Sequence, residues 1–397
     1  MAPPFARVCA LWPLCVAATL GLAACAGPAP LSGSRPPPTT VPAPQPLPVP
    51  AAPLPPPPIP PAPEVAPERA PAVVNRPSTD AIVVVLPLES SLYGQAAAAV
   101  QAGFFAAAKA AAATARTRVI GYADDAVLPA FAAAADANPA LIVGPLTRDD
   151  VKTVLALAPD RPRTLALNQG DDGSALPAEV YALALSVEND AALLARRARD
   201  DGVRTLASLS SDAPLQRRFK VAFSTAWEHA GGTPIRDYRF DPNPEVLGLL
   251  RRELAARPPD ALLLCVGAGE AALAKSFLPP GPVYASSQVA DGLSPQMLRD
   301  LEGVRYVEIP WLTDPADPAL ARFPRGNLGD PVLERLYALG LDAFALGDLL
   351  ANPIPPDRIE LDGATGHLSL LPTRSFARDG RIMIIHDGQS VLYMPSQ

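Results

Sequence analysis

Histidine and cysteine are scarce in this sequence, which holds 3 His and 4 Cys among 397 residues. His229, His367 and His386 lie far apart, and none of them stands at zinc-motif spacing from a cysteine. The sequence therefore predicts no metal centre.

An excess of positive charge is also lacking. Lys and Arg number 33 against 40 Asp and Glu, which gives a formal net charge of −7. A nucleic-acid binder needs a basic face that replaces the counterions of the phosphates. The charge balance therefore excludes nucleic acid as the expected partner.

Proline is abundant but unevenly placed, since residues 1–77 hold 24 of the 51 prolines. Runs such as 36–38 and 55–58 fix φ and remove backbone donors, so neither helix nor sheet can form there. We interpret residues 25–78 as a linker that carries a folded head away from a membrane. A tether of no specific length and a proline-rich docking motif are the alternatives. The head, residues 79–397, is long enough for two lobes.

The first 24 residues are expected to be a lipoprotein signal peptide. Arg7 precedes an apolar run over 8–22, which is too short to be a typical membrane span. The run ends in Leu22-Ala-Ala-Cys25, which resembles the lipobox of bacterial lipoproteins, where the Cys thiol takes a diacylglycerol. The alternative is an ordinary signal site with an incidental cysteine. In such lipoproteins the next residue affects sorting, and Ala26, in place of Asp, indicates the outer membrane.

Removal of the signal peptide and acylation of Cys25 would leave Cys265 as the one free thiol. No intramolecular disulfide is then possible, even in an oxidising compartment. Cys265 stands in an apolar run over 261–266, which predicts a buried thiol that acts as a small hydrophobe.

Apolar runs alternate with amphipathic stretches through the head. The predicted strands cover 81–86, 119–122, 141–143, 164–167, 180–185, 203–209, 235–240, 261–266, 283–285 and 304–309. The predicted helices cover 93–113, 126–135, 148–157, 188–199, 215–230, 245–257, 270–277 and 330–350. This alternation predicts an α/β fold of mostly parallel sheets flanked by helices, and the number of strands requires two lobes.

The lobe boundaries are predicted from where the chain crosses between the two sheets. Lobe 1 is expected to contain residues 80–186 and 311–350, and lobe 2 residues 187–310 and 351–397. Gly340 and Gly347 share nearly one face of the late helix, which predicts close packing on a sheet. The turns at 363–366, 379–380 and 387–388 predict antiparallel hairpins on lobe 2.

Familiar catalytic motifs are missing from the sequence. No Ser lies three residues before any Lys, so the acyl-serine tetrad of penicillin-binding enzymes is absent, as are G-x-S-x-G and H-E-x-x-H. The stretch 267–272 mimics a dinucleotide fingerprint, but the next strand ends in Ser286-Ser287, with no acidic residue for a ribose. We interpret 267–272 as a tight strand-to-helix turn and expect no cofactor.

Small polar residues follow the predicted strands, at the edge where open α/β sheets bind ligands. These candidate cleft residues are Glu89, Ser90, Tyr93, Thr147, Asn168, Ser210, Asp212, Ser286 and Ser287. They predict either an interlobe groove for a ligand or loop polar groups that satisfy one another. Glu89 is also the one candidate acid for a glycan-cleaving enzyme, although a Glu at a strand end is more often a solvated loop residue.

Three sequence blocks carry a family resemblance: Pro-Trp-Leu at 310–312, Ala-Leu-Gly-Leu-Asp-Ala at 338–343 and Gly-Ala-Thr-Gly at 363–366. With weaker matches they occur in order over nearly all of residues 80–397. The head thereby resembles the periplasmic-binding-protein-like domain of the penicillin-binding protein activator lipoproteins, the LppC/LpoA family. Some members carry an N-terminal helical-repeat domain. This chain has the proline-rich linker there, so no role of that domain is carried over.

The resemblance implies a two-lobed type I periplasmic-binding-protein-like fold, anchored at the outer membrane and facing the periplasm. It also implies that the protein stimulates a bifunctional peptidoglycan synthase, a class A penicillin-binding protein. We therefore predict a non-catalytic regulator of cell-wall synthesis. A solute-binding lipoprotein with a small polar ligand between its lobes is the first alternative, and a wall-remodelling enzyme is the second.

Overall fold

The computed structural model describes residues 82–157, 161–170 and 175–394 of the protein. The predicted signal peptide, Cys25 and the proline-rich linker lie outside the described residues. None of the helices in these ranges combines the length and the apolar character needed to cross a bilayer.

Strands and helices alternate over most of the described chain up to residue 308, and short strands end the described chain. The strands are β1 Ile82–Leu86, β2 Thr117–Gly121, β3 Leu141–Val143, β4 Thr164–Ala166, β5 Val180–Ala182, β6 Leu206–Ser210, β7 Arg236–Arg239, β8 Ala261–Cys265, β9 Val283–Ala285, β10 Val304–Glu308, β11 Glu360–Asp362, β12 His367–Leu370, β13 Phe376–Asp379, β14 Arg381–His386 and β15 Gln389–Leu392. The helices are α1 Gly94–Ala110, α2 Val127–Asp136, α3 Arg148–Leu155, α4 Val187–Asp200, α5 Pro214–His229, α6 Pro244–Ala256, α7 Ala268–Lys275, α8 Pro295–Arg299, α9 Pro310–Thr313, α10 Pro318–Ala321 and α11 Pro331–Leu350. Each strand and helix predicted from the sequence is present, with its ends shifted by a few residues.

Lobe 1 is built on a parallel sheet in the order β2-β1-β3-β4-β5. Every residue of β1 is buried. Ile82, Val84 and Leu86 face a core that α1 and α11 cover, whereas Val83 and Val85 face a second core under α2. The continuous β-branched run therefore reflects helices on both faces of the sheet.

Helices α1 and α11 cross in close contact because glycines remove side chains at the crossing. A Cβ on Gly340 would lie 2.1 Å from the carbonyl oxygen of Val100, and one on Gly103 would lie 1.9 Å from that of Tyr337. Gly347 instead faces strand side chains, since a Cβ there would lie 3.4 Å from Leu141 Cδ2. The expectation that both late glycines pack on a sheet is therefore right for Gly347 and wrong for Gly340, which packs on a helix.

Lobe 2 has a seven-stranded sheet in the order β15-β14-β10-β9-β8-β6-β7. The five strands from β10 to β7 are parallel, whereas β14 runs antiparallel to β10 and β15 antiparallel to β14. On one face, Phe219, Phe223 and Trp227 of α5 are fully buried against α4 and the sheet. These three aromatic side chains are among the largest fully buried side chains of the described chain.

A third sheet, β11-β12-β13, packs on lobe 1 and not on lobe 2. Ile359, Leu368 and Phe376 join the same buried core as α1 and α11. The predicted assignment of residues 351–397 to lobe 2 therefore differs from the structure up to β13, because these apolar side chains complete the core of lobe 1.

The turns of this C-terminal region divide in the same way. The 363–366 loop joins β11 to β12, and Asp387-Gly388 joins β14 to β15 with both φ angles positive, as a tight hairpin requires. Asp379-Gly380 is no hairpin, since β13 and β14 belong to different sheets. There the chain makes its third crossing between the lobes, after those that follow β5 and β10.

Candidate functional site

Several of the predicted cleft residues satisfy loops and helix ends. The Ser90 hydroxyl accepts hydrogen bonds from the backbone N–H of Leu92 and Tyr93 at 3.2 and 2.9 Å. Thr147 caps α3 by accepting from the N–H of Asp150 at 3.2 Å. Asn168 donates to the carbonyl oxygen of Leu146 at 3.0 Å. The polar groups of Ser90, Thr147 and Asn168 therefore form hydrogen bonds with backbone groups of lobe 1.

The lobe 2 candidates also have local partners. Ser286 is buried and shares hydrogen bonds with the Gln216 amide at 3.2 and 3.4 Å. Ser210 donates to the Tyr238 carbonyl oxygen at 3.5 Å, and Asp212 forms an exposed ion pair with Arg239. The placement of these residues favours the interpretation as mutually satisfied loop polar groups.

Glu89 and Tyr93 lie on lobe 1, where Glu89 follows the end of β1 and Tyr93, which is exposed, precedes α1. Ser287 begins the short 3-10 turn Ser287–Ala290 after β9. Of the nine candidates, Ser287 alone lines the pocket between the lobes. The structure therefore does not gather the nine residues into one site.

The interlobe pocket has a volume of about 190 Å³. Its walls come from the connections between the lobes, from α11 and β13 of lobe 1, and from the strand ends and the starts of α4 and α5 of lobe 2. Leu185, Ile309 and Val332 are among its apolar lining residues. The sequence prediction looked for polar residues at the ends of strands. It therefore could not identify these apolar residues, which lie in the connections between the lobes and in α11.

Four charged side chains line this pocket: Asp190, Glu308, Arg335 and Arg378. Arg335 of α11 donates to Glu308 at 3.0 and 2.6 Å and to Asp291, just beyond the pocket wall, at 3.0 and 2.8 Å. Burial disfavours the charged guanidinium, but the hydrogen bonds to Glu308 and Asp291 outweigh burial and raise the pKa of Arg335. Arg335 therefore stays charged and ties lobe 1 to lobe 2.

Arg378 of β13 makes the second buried ion pair of the pocket. Its side chain is 2% exposed, and it donates to Asp190 of α4 and to the Thr365 carbonyl oxygen at 3.1 Å. Each charge of the pocket wall thus has a protein partner of opposite sign. A zwitterionic solute would need charged partners of its own, so the pocket is built as a junction between the lobes.

Two of the blocks that carry the family resemblance meet inside lobe 1. Asp342 of α11 is buried, and its carboxylate accepts from the N–H of Ala364 at 2.7 Å, the N–H of Thr365 at 2.8 Å and the Thr365 hydroxyl at 2.6 Å. A Cβ on Gly363 would lie 2.6 Å from the same carboxylate. The Asp and the Gly-Ala-Thr-Gly turn therefore form one structural unit.

The third block joins this unit. The backbone N–H of Trp311 donates to the Ala364 carbonyl oxygen at 3.0 Å, and the indole N–H donates to Glu334 at 2.9 Å. The Arg325 guanidinium lies 3.8 Å from the centre of the Trp311 ring. The most specific sequence blocks therefore stabilise the junction of α9, α11 and the third sheet.

Cys265 and Gly267, which the sequence analysis singled out, have structural roles. Cys265 is fully buried, and burial raises the pKa of its thiol to about 12, so it stays neutral. Gly267 begins the turn into α7, where its N–H donates to Glu270 at 2.9 Å.

His386 pairs with Glu302 at 2.7 Å on the exposed surface, and Asp387 lies close enough to form a three-ligand group with them. The hydrogen bond to Glu302 raises the pKa of His386.

A family model described as "LppC putative lipoprotein" matches residues 72–251 and 248–383. These matches cover nearly the whole head, and so more than half of the chain. The chain belongs to the LppC lipoprotein family. The resemblance carried by the three sequence blocks is therefore confirmed.

A curated relative of this LppC chain is the penicillin-binding protein activator LpoA of Edwardsiella piscicida. It is 29% identical over 287 residues, which are 61% of this chain and 41% of the relative. Other curated relatives with the same description match over 41–44% of their length. The chain thus spans about two fifths of the length of the curated relatives it matches.

The solved structures that are similar to the LppC head include two that cover nearly their whole chains. One, described as a "putative branched-chain amino acid ABC transporter" from Chromobacterium violaceum, is 35% identical with a TM-score of 0.65 and covers 76% of this chain and 99% of that chain. The other is the LpoA C-domain from Haemophilus influenzae, described as a regulator of PBP1A. It is 26% identical with a TM-score of 0.67 and covers 79% and 99% of the two chains. The predicted type I periplasmic-binding-protein-like fold is confirmed.

Proposed function

We propose that the protein is an outer-membrane lipoprotein that binds and activates a class A penicillin-binding protein. One observation carries this proposal: the head matches a domain described as a regulator of such a synthase, over 99% of that domain's length. The match concerns the two-lobed head, which is the part that this chain shares with its longer relatives.

Two features of the residues support a regulator over an enzyme. The chain lacks the serine tetrad with which penicillin-binding enzymes form an acyl intermediate. The charged groups of the interlobe pocket, such as Arg335 and Arg378, are held by ion pairs. Activation would then follow from binding that favours one conformation of the synthase.

Reconstitution tests the activation. The full-length lipoprotein is mixed with class A penicillin-binding proteins of the same bacterium, and glycan polymerisation and crosslinking are measured from a lipid-linked precursor. We expect the rate of at least one synthase to rise and the two proteins to bind. Unchanged rates together with no binding would refute the proposal.

The lipid anchor is tested separately. We expect labelled fatty acid to attach to the wild-type chain and to Cys265→Ala, but not to Cys25→Ser, with the labelled protein recovered in the outer membrane. The acyl chains on Cys25 would insert into the bilayer, and each buried methylene group would contribute about 0.8 kcal/mol to membrane binding. Label that persists in Cys25→Ser, or a freely diffusing wild-type protein, would contradict this assignment.

A solute-binding role is the second candidate, because one similar structure is described as a transporter protein for branched-chain amino acids. A bound ligand would raise the melting temperature by mass action. We expect amino acids, nucleosides and muropeptides to leave the melting temperature unchanged. A dose-dependent rise with one of them, abolished by Arg335→Gln or Arg378→Gln, would favour solute binding in the interlobe pocket.

A further inference from the structure

A second concave surface lies on the outer side of helices α4 and α5. This α4–α5 groove has a volume of about 850 Å³ and is open to solvent. Pro214, Val221 and Ala222 of α5 and Ala192 of α4 form its apolar wall, and Arg148 of lobe 1 lies at its edge. The groove is several times larger than the interlobe pocket and is separate from it.

The apolar wall is accessible because it is built from small residues around one larger side chain. Val221 is 65% exposed, and Ala222 and Ala226 also line the groove from α5. The opposite face of this helix buries Phe219, Phe223 and Trp227. The outer face therefore carries apolar surface that the fold of the described chain leaves uncovered.

Positive charge surrounds this surface, although the whole chain is acidic. Arg148, Arg217 and Arg218 line the groove together with one acidic residue, Glu188. The Glu188 carboxylate lies 3.3 Å from Arg148 and 2.8 Å from Arg218. Burial favours its neutral form, but hydrogen bonds from Arg218 and Ser186 outweigh burial and lower its pKa. Among the described residues that line the groove, arginine side chains therefore outnumber carboxylates by three to one.

Arg217 is the cation of the groove that is available to a partner. Among the described residues, its side chain forms neither an ion pair nor a hydrogen bond. It lies one helical turn before Val221, so the two side chains share one face of α5. A ligand that covers Val221 with an apolar side chain can therefore place a carboxylate against Arg217.

We propose that the α4–α5 groove docks an acidic segment of the synthase, which carries apolar side chains between its carboxylates. This inference rests on the proposed function and names the surface that serves it. The chain's own linker does not fit, because residues 26–78 hold three Arg and two Glu. Since Arg148 belongs to lobe 1 and α5 to lobe 2, the docked segment contacts both lobes and senses their arrangement.

Two substitutions on the groove and two matched controls test the proposal in the full-length lipoprotein. Arg217→Glu reverses the free cation, and Val221→Ser removes the exposed apolar group. Arg252→Glu and Leu249→Ser make the same changes on α6 of the same lobe, where both side chains are also exposed. Affinity for the synthase is measured at low and high salt, together with activation and the melting temperature of each variant.

We expect each groove variant to bind about tenfold more weakly than wild type at low salt, with the melting temperatures unchanged and both controls binding normally. High salt should weaken wild-type binding more than that of Arg217→Glu. Wild-type affinity in both groove variants, or equal losses in the α6 controls, would overturn the docking surface while leaving the proposed function intact. A wild-type protein that neither binds nor activates would overturn both. Loss of self-association in the groove variants, with synthase binding unchanged, would assign the groove to a second copy of the chain.

Discussion

At the scale of single residues, Asp342 holds the third sheet on lobe 1. Its buried carboxylate is the acceptor for three donors of the 363–366 turn. A buried N–H or O–H group that loses its acceptor still has the desolvation penalty of burial, but no hydrogen bond offsets it. This one side chain therefore couples α11 to a loop more than twenty residues later in the chain.

Replacement of Asp342 by Ala is expected to lower the free energy of unfolding by about 2–4 kcal/mol, because the N–H groups of Ala364 and Thr365 lose their partner. Urea unfolding measures the change. Asp348→Ala removes an exposed carboxylate from the same helix, and we expect it to cost at most about 0.5 kcal/mol. Equal losses in the two variants would contradict the role of the buried acceptor.

The same carboxyl group predicts a pH dependence. Burial raises the pKa of Asp342 from 3.8 to about 6, so the folded chain holds this proton more tightly than the unfolded chain. The raised pKa means that the protonated carboxyl stabilises the folded state relative to the ionised form. This stabilisation is complete below pH 4 and is lost as the pH rises through 6.

We therefore expect the unfolding free energy of wild type, measured relative to Asp342→Asn, to fall by about 2–2.5 kcal/mol between pH 4 and pH 7. The Asn variant carries the same other titrating groups and so cancels their effect. A relative stability that is flat or rises over this interval would show that the carboxyl is ionised throughout.

At the scale of secondary-structure elements, the α1–α11 crossing depends on two glycines. Gly103 and Gly340 each face the backbone of the other helix, and Phe104 of α1 meets Phe344 of α11 edge-on at 5.3 Å. Helix backbones can approach this closely only where no Cβ intervenes. The crossing in turn positions Arg335 and Asp342, which lie on the same long helix.

Gly340→Ala is expected to destabilise the protein by about 2–3 kcal/mol, since its Cβ would overlap the carbonyl oxygen of Val100 and push the helices apart. Gly248→Ala on α6 is the matched control, because no atom lies within 4 Å of its Cβ position. There we expect a gain of about 0.5–1 kcal/mol from helix propensity. Thermal unfolding that shows the same sign for both changes would contradict the close crossing.

At the scale of the whole molecule, the lobes are joined by buried charge as well as by three chain crossings. Arg335 of lobe 1 contacts Glu308 and Asp291 of lobe 2, and Arg378 contacts Asp190. Such buried pairs add little net stability, but loss of one partner leaves an uncompensated charge. We therefore expect these pairs to favour one arrangement of the lobes.

Arg335→Gln is expected to lower stability by about 3 kcal/mol and to increase the radius of gyration, because Glu308 is left without its counterion. Denaturant unfolding and small-angle scattering measure the two effects. The double variant Arg335→Met with Glu308→Gln should recover part of the loss. Arg358→Gln, which removes an exposed pair with Glu360, should leave scattering unchanged. An unaltered radius of gyration in Arg335→Gln would show that the pair does not set the lobe arrangement.

Local patterns were sufficient for most of the head. The β-branched run at 82–85 and the amphipathic spacing of α1, α4 and α5 are properties of nearby residues, so their prediction required no distant contact. The Asp387-Gly388 turn is equally local. Asp379-Gly380 shows the limit, because the same dipeptide there connects two sheets and only the pairing of the flanking strands distinguishes the cases.

The sequence by itself determined the elements, the two-lobed α/β class and the family, because periodicity and short blocks of residues encode them directly. Only the tertiary structure decided which polar residues meet. Ser90, Thr147 and Asn168 follow strands as ligand-binding residues do, yet loop geometry turns them inward to cap backbone groups. Arg335 and Glu308 are 27 positions apart in the sequence. No local pattern predicts their contact, because it forms only when the two lobes pack against each other.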